Sequence, residues 1–428
     1  MNIDISTKLS NYMNEFIQKV IDECGPRIPC SPQEAKSAEL IKSELSDTCD
    51  EISIEKFTCR PNAFLGYIKI DVLLVFSSFL LFFLLPLNLG AYWIQFSAAI
   101  SFILNVLAFI ILWNEFFNYR EFIDPLFKKQ ESQNVIGKIL PSNGEVKRVI
   151  IFSGHHDSAL RFNLLERLKI GYPIIILSGL GVMLVWLGAS LVILLLSLLG
   201  FPVFDIFFIF VLILFIIGII PLIGLFLFVS RGEKANKVPG AVDNLSAVAI
   251  VLGLGKYLKD HKEIIPENTE IRLISFGCEE AGLRGAYRYV ERHLNDLNKS
   301  NAECVNMDAI QSVNHVAFID FEPSTRTKHS DEVINKLKMA ALLVNVQFNE
   351  ASLGGSGFFS KIFGQITGGT DATAFSKSGV KAASITAMNL KEMLQFYHQS
   401  TDTLDKINEG ALESVLKICI GYIIKDTK

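Results

Sequence analysis

The stretch IRLISFGCEEAGLRGAYRYVERHLNDL, residues 271–297, changes character in its middle, and that change decides the fold. Residues 271–276 form a short apolar run that stops at Gly277, the mark of a buried strand, whereas residues 281–297 repeat their apolar positions with helical spacing. A strand passing straight into a helix is the repeating step of an α/β protein. Between the two stand Glu279 and Glu280. Adjacent acids at the end of a buried strand place like charges at a semi-buried edge, which is costly unless a cation neutralises them. One of the pair can bind metal while the other takes a proton from water. Alternatively, both acids simply favour a helix N-terminus.

The same alternation extends outward. Helical periodicity marks residues 7–24, then 32–45 after the Gly25-Pro26-Arg27 break, and a near-alternating strand follows at 51–58. Residues 134–140 and 149–152 are predicted to pair as strands around the turn Pro141-Ser142-Asn143-Gly144. Residues 244–258, 331–344 and 410–424 are predicted helices, and residues 303–307, 315–319 and 382–386 predicted strands. This pattern implies an α/β sandwich with a mostly parallel sheet, whose ligand sites gather beyond the carboxyl ends of the strands.

Several polar motifs fall at such ends. Ser153-Gly154-His155-His156-Asp157-Ser158 follows the strand at 149–152. An imidazole is a good zinc ligand when a carboxylate two residues on accepts its other N–H, and His155 with Asp157 has that form. Pro239-Gly240-Ala241-Val242-Asp243-Asn244 precedes a helix, so Asp243 suits an N-cap, although a carboxylate at a loop tip can also bridge two cations. Asn306-Met307-Asp308 ends a strand with a third carboxylate site, and Phe396-Tyr397-His398 adds a second histidine. Each of these motifs, taken alone, reads as an ordinary loop or cap.

Two apolar blocks interrupt the polar sequence. Half of the 428 residues are hydrophobic, and the excess lies at 70–113 and 174–229. A spanning helix needs about 20 mostly apolar residues. The blocks supply four, at 70–87, 93–113, 173–199 and 204–229, and residues 173–230 carry a single charge, Asp205. The predicted organisation is one discontinuous domain (1–66, 118–170 and 231–428) interrupted by transmembrane hairpins at 67–117 and 171–230. The open ends are basic (Arg60, Lys69, Arg120, Lys128, Lys129, Arg161, Arg167, Lys169, Arg231, Lys234 and Lys237), and the tips near 88–90 and 200–202 carry no Lys or Arg. By the positive-inside rule the protein is a multi-pass membrane protein with its polar domain and both termini in the cytoplasm. Tyr92, Trp93 and Trp113 suit interfacial anchors.

The seven widely spaced cysteines (Cys24, Cys30, Cys49, Cys59, Cys278, Cys304 and Cys419) fit thiols in a reducing compartment, with a Cys24–Cys30 pair conceivable only in an oxidising one. The first residues lack the charged and apolar regions of a cleaved signal peptide. A net charge of −4 with no basic stripe speaks against a nucleic-acid partner.

Taken together and in order, the motifs resemble those of the cocatalytic di-zinc exopeptidases, the family of aminopeptidase Y, the bacterial leucyl aminopeptidases, glutamate carboxypeptidase and glutaminyl cyclase. The resemblance runs through Gly25-Pro26-Arg27, Asn134-Val135-Ile136, the His155 and Asp243 motifs, 279–285, Asp308, Gly369-Thr370-Asp371, Tyr397-His398 and Thr401-Asp402-Thr403. It implies a three-layer sandwich with a mostly parallel mixed sheet, in which Asp243 bridges two zinc ions. His155 and Asp308 would complete one site, and Glu280 and His398 the other. Glu279 would be the general base, and Asp157 would orient His155. Two cations about 3.5–4 Å apart lower the pKa of water and polarise a carbonyl. Asn244 and Ala372 depart from the family's usual Asp and His, and the second hairpin lengthens the gap between His155 and Asp243.

The resemblance implies a membrane-anchored aminopeptidase acting on short peptides through a metal-bridging water. A glutaminyl-cyclase-like acyltransferase with one zinc is the alternative within enzymes; a catalytically silent scaffold relative is the alternative outside them. Because the second hairpin leaves the chain just after Asp157, the active-site loop is expected near the bilayer, favouring hydrophobic or membrane-proximal peptides as substrates. Oligomeric state is not legible.

Overall fold

In the computed structural model, which describes residues 3–89, 93–141, 144–229, 234–349 and 368–425, the chain divides into two units. Unit 1 comprises Met1–Pro61, Lys129–Arg161 and Arg231–Lys428, and unit 2 comprises Asn62–Lys128 and Phe162–Ser230. Gly90, Tyr92, Ser142, Asn143 and Arg231, given tip, anchor, turn and charge roles above, lie outside the described residues.

Unit 1 is built on seven strands: β1 (Glu51–Cys59), β2 (Gln130–Ile139), β3 (Arg148–His155), β4 (Thr269–Phe276), β5 (Glu303–Ile310), β6 (Ala317–Ile319) and, after the small ribbon β7 (Phe321–Glu322) and β8 (Thr327–Lys328), β9 (Lys381–Ala387). Their order is β1-β2-β4-β3-β5-β9-β6. The central pairs β3/β4, β3/β5 and β5/β9 are parallel, and the marginal pairs β1/β2, β2/β4 and β6/β9 are antiparallel. The expected mixed sheet is thus parallel at its centre and antiparallel towards both margins.

Period-two alternation assigns the strand residues to two faces. Ile150, Phe152, Ile271 and Leu273 pack with the helices Thr7–Cys24, Ser246–Asp260, Asp331–Leu343 and Ala411–Lys425. Val149, Ile151, Ile274 and Phe276 pack with the helices Arg284–Lys299 and Ala372–Lys377. Helices on both faces make the three layers.

Three local expectations are corrected. β2 and β3 do not pair with each other, because β4 lies between them and pairs with both. Alternation assigns faces but not neighbours, and β4, buried along its whole length, takes the place between them. The strand expected at 315–319 shrinks to Ala317–Ile319 because Val313–His315 forms a 3-10 turn. The helix expected from residue 244 begins at Ser246, since Asp243 and Asn244 have non-helical backbones with φ of −117° and −141°.

Unit 2 holds the helices Tyr67–Leu89, Ile94–Glu115, Gly171–Leu198 and Val203–Phe226, all long and apolar enough to cross a membrane. A fifth segment of that length and composition, Ala241–Asp260, is 89% buried and belongs to the core of unit 1. Inside unit 2, Trp186 stacks on Phe79 at 4.5 Å and donates its Nε1–H to Ser78 Oγ at 2.6 Å. Ser78 in turn donates to Asn105, which donates to Ser190 Oγ.

Candidate metal centre

The 271–285 stretch shows how the chain shapes its acidic loop. β4 ends at Phe276, and the helix that follows starts only at Arg284, because Gly282 and Leu283 first turn back to donate to Glu279 O at 2.8 and 2.7 Å. Gly277 and Gly285 close the loop at its neck. A Cβ on Gly285 would lie 2.2 Å from Gly277 O, so no other residue fits there without shifting the backbone. Asn134 of β2 staples the neck, donating to Gly285 O at 2.9 Å and accepting from Gly277 N at 3.1 Å.

Six of the seven acids and histidines expected at the centre meet at the carboxyl ends of the central strands, and the seventh, Asp157, lies just behind them. His155 ends β3, Asp308 lies near the end of β5, and Glu279 and Glu280 follow β4. His155 Nε2 lies 3.2 Å from Asp243 Oδ1 and 3.8 Å from Glu279 Oε2. His398 Nε2 lies 3.2 Å from Asp243 Oδ2 and 3.4 Å from Glu280 Oε1. Ligand atoms of His155, Glu279 and Asp308 fall within 4.8 Å of one another, as do those of His155, Asp243 and Glu280. Asp243 is not an N-cap: its two oxygens face the two histidines, and the helix beginning at Ser246 has no side-chain cap.

Electrostatics show why this donor set suits cations. Burial pushes the Glu279 carboxyl well above its ordinary range; His155 opposes the push, and Glu280, Asp371 and Asp308 add to it. Burial and then Asp243 do the same to Glu280 and to Asp308. Burial works against the charge of Asp243 too, but hydrogen bonds with His155 and His398 outweigh it and hold that carboxyl below its usual range. Burial also opposes charge on His155, but Glu279, Asp157 and Asp243 hold the imidazole well above its ordinary value. Glu280 Oε1 is buried without a hydrogen bond. Buried carboxylates that repel one another and lack donors fit divalent ions with nitrogen and oxygen ligands, as zinc sites do.

A layer behind the centre went largely unread in the sequence. Asp157 lies behind His155, with its backbone oxygen 3.2 Å and Oδ1 3.4 Å from His155 Nδ1. Its two oxygens also accept the backbone N–H groups of Glu279 and Glu280 at 3.1 and 3.0 Å. Asp402 does the same for the other loop, accepting from Val242 N at 2.8 Å and Asp243 N at 3.2 Å. Asn244 ties that loop to β5, donating to Met307 O at 3.0 Å and accepting from Ala309 N at 3.3 Å. Fully buried Arg27 donates to the backbone oxygens of His156 and Pro239 at 2.9 and 2.8 Å, joining the His155 and Asp243 segments. Buried Glu322, paired with His329 at 3.1 Å, accepts from Thr370 N and Oγ1 and from Thr373. It thereby places Asp371, whose carboxyl is pushed up to about 7 by burial, with Asp157 and Glu322 adding to the rise. Arg27, Asp402 and Thr370 lay within quoted motifs, but nothing in the sequence singled out Glu322 or His329.

Fold and site together define an α/β domain with a mixed sheet and a candidate metal centre at the carboxyl ends of its central strands. Residues 229–423 match Peptidase family M28, a span that contains Asp243, Glu279, Glu280, Asp308 and His398 but begins after His155 and Asp157. Over 193 residues the chain is 28% identical to aminopeptidase YwaD of Bacillus subtilis (strain 168), covering 44% of this chain and 38% of that relative. Among solved structures, an aminopeptidase from Aneurinibacillus sp. strain AM-1 superposes with a TM-score of 0.53 at 15% identity, covering 98% of this chain and 93% of that one. A glutaminyl cyclase from Fimbriiglobus ruber superposes with a TM-score of 0.55 at 12% identity, covering 99% and 97%. These two likenesses show a shared fold.

Proposed function

We propose that the protein is a membrane-anchored, zinc-dependent exopeptidase, an aminopeptidase for short peptides. The observation that carries this reading is the meeting of His155, Asp243, Glu279, Glu280, Asp308 and His398 around one small volume, from segments far apart in the chain. Asp243 would be shared by two zinc ions, His155 and Asp308 completing one set and Glu280 and His398 the other. When bound, the ions polarise the scissile carbonyl and lower the pKa of water. Glu279 takes a proton from the attacking water and returns it to the nitrogen of the leaving amine. Asp157, holding the N–H groups of Glu279 and Glu280 and lying behind His155, keeps both in register.

The catalytic domain is assigned to 1–66, 118–170 and 231–428, and the hairpins at 67–117 and 171–230 to the bilayer, with the domain and both termini in the cytoplasm. Support comes from the four long apolar helices of unit 2 and the basic residues flanking them. The chain enters unit 2 at Phe162, five residues after Asp157, which favours hydrophobic or membrane-proximal peptides.

The test is hydrolysis of amino-acid 4-nitroanilides and free-carboxylate dipeptides by the detergent-solubilised chain, with and without a chelator. Chelation should abolish activity and added zinc restore it. Glu279→Gln should lower kcat by about 10³-fold while zinc content stays unchanged. Activity that survives both treatments sinks the reading. Cyclisation of amino-terminal glutamine peptides without hydrolysis would move it to the acyltransferase class.

A further inference from the structure

Away from the carboxylate cluster, three cysteines converge from distant parts of the chain. Cys30 precedes the helix Pro32–Ser46, Cys59 ends β1, and Cys278 lies in the loop after β4. The three Sγ atoms form a nearly equilateral triangle: Cys30 lies 3.4 Å from both Cys59 and Cys278, and those two are 3.5 Å apart. None is in a disulfide, and the Cys24–Cys30 pair considered from the sequence does not form. Apolar packing beside Phe57 and Ala281 would by itself need only small side chains, not three sulfurs meeting at one point.

The backbone around the triangle is held for this arrangement. Glu34 Oε2 accepts from Cys30 N at 2.8 Å, and its Oε1 accepts from Cys278 N at 2.9 Å and Ser132 Oγ at 2.9 Å. One buried carboxylate therefore sets the spacing of two of the thiols. Both of those residues have positive φ, 60° at Cys30 and 54° at Cys278, a conformation that side-chain-bearing residues adopt at some cost.

We propose that Cys30, Cys59 and Cys278 form a second metal site, a three-thiolate site for a soft d10 cation of the zinc or cuprous type. The geometry fits without rearrangement of the chain. A triangle with sides of 3.4, 3.4 and 3.5 Å has its centre about 2.0 Å from each sulfur, and an ion about 1.2 Å above that plane reaches the usual metal–sulfur distance of about 2.3 Å. Thiolates select such cations over the harder ones that carboxylates hold. On binding, three S–H bonds give way to three sulfur–metal bonds, and the three protons pass to solvent. Half-buried Cys30 supplies the way in. Cys278 is joined directly to Glu279, so an occupied site pins the root of the acidic loop to β1 and to the N-terminal segment.

The test uses the full-length, detergent-solubilised chain under reductant, with the carboxylate site first saturated with zinc. Titration with Cd2+, or with Cu+ held by a weak competitor, should load one equivalent of the soft metal per chain, displacing any zinc already held by the sulfurs, with an ultraviolet thiolate charge-transfer band. The carboxylate cluster contains no sulfur and cannot produce that band, so the result is independent of peptidase activity. Cys30→Ser and Cys59→Ser should each remove that equivalent, and Cys24→Ser should leave it. Should a variant misfold, alkylation of the wild-type chain reads the same point: metal should protect Cys30, as mapped by peptide mass spectrometry. No band and no protection in the wild type, a band that survives both variants, or a disulfide within the triad under reductant would each overturn the proposal.

Discussion

Unit 1 and unit 2 distribute polarity in opposite senses. Unit 1 covers itself with charges such as Lys36, Lys56 and Glu131 and buries an apolar double core. Among the charges it buries away from the acidic cluster, Arg27, Glu34, Asp157 and Asp402 are held by backbone groups. Unit 2 exposes Leu84, Ile103, Leu195, Ile213 and Ile220, yet turns Ser78, Asn105 and Ser190 inward, where they hydrogen-bond one another. Both solutions follow the rule that buried polar groups must find partners. The outer surfaces differ because each matches a different solvent: water for unit 1 and, on the reading proposed here, hydrocarbon for unit 2.

The largest expected effect breaks or confirms that contrast directly. Ile213, 52% exposed at mid-helix in unit 2, and Leu342, 66% exposed in unit 1, are similar residues on different surfaces. Ile213→Asp should cost about 3 kcal/mol of membrane insertion. Leu342→Asp should cost less than about 1 kcal/mol of stability. Alkaline extraction of membranes reads the first, which should shift towards the soluble fraction; thermal unfolding reads the second. If Ile213→Asp remains as firmly integrated as the wild type, the helices of unit 2 do not face lipid.

A smaller effect sharpens the picture of unit 1. Asp402 acts on the centre through the backbone, holding Val242 N and Asp243 N. Asp402→Ala should lower zinc affinity and activity by about 10–100-fold. Asp402→Asn keeps one acceptor oxygen and should recover part of that loss. Helix content by circular dichroism should not change in either variant. A wild-type zinc affinity in Asp402→Ala would show that the Asp243 loop holds itself.

Much of unit 1 was legible because its signals are local. The buried run of β4, the Gly277 stop and the Glu279-Glu280 pair are contiguous, and the helix Thr7–Cys24 falls where its periodicity puts it. What was missed is non-local. The insertion of β4 between β2 and β3 depends on which strand is buried on both faces, and period-two alternation is silent on that. The role of Asp402 behind Asp243 joins residues 159 positions apart in the chain. Glu34 illustrates the limit well. Ser31-Pro32-Gln33-Glu34 has the form of a capping box, and Ser31 does cap Glu34 N at 3.1 Å, but the Glu34 carboxylate continues to Cys278, 244 positions away.

The smallest effect separates the titration of unit 1 from its metal chemistry. Glu303, at the start of β5, accepts from Lys336 at 2.5 Å, Tyr422 at 2.6 Å and Arg148 at 2.7 Å. Burial alone would push its carboxyl up, but Lys336, Tyr422 and Arg148 outweigh burial and hold it below the ordinary range. A carboxyl depressed in the folded state contributes stability that is fully present above its unfolded value of about 4.3 and is lost as pH falls through the folded value. Glu303→Gln should therefore weaken the local stability of β5 by about 1 kcal/mol at neutral pH. The gap between variant and wild type should close as the pH drops below that unfolded value. Hydrogen exchange of the β5 amides reads this locally, whatever the state of the metal centre. A gap that is the same in acid as at neutral pH would mean that Glu303 acts through shape rather than through its charge.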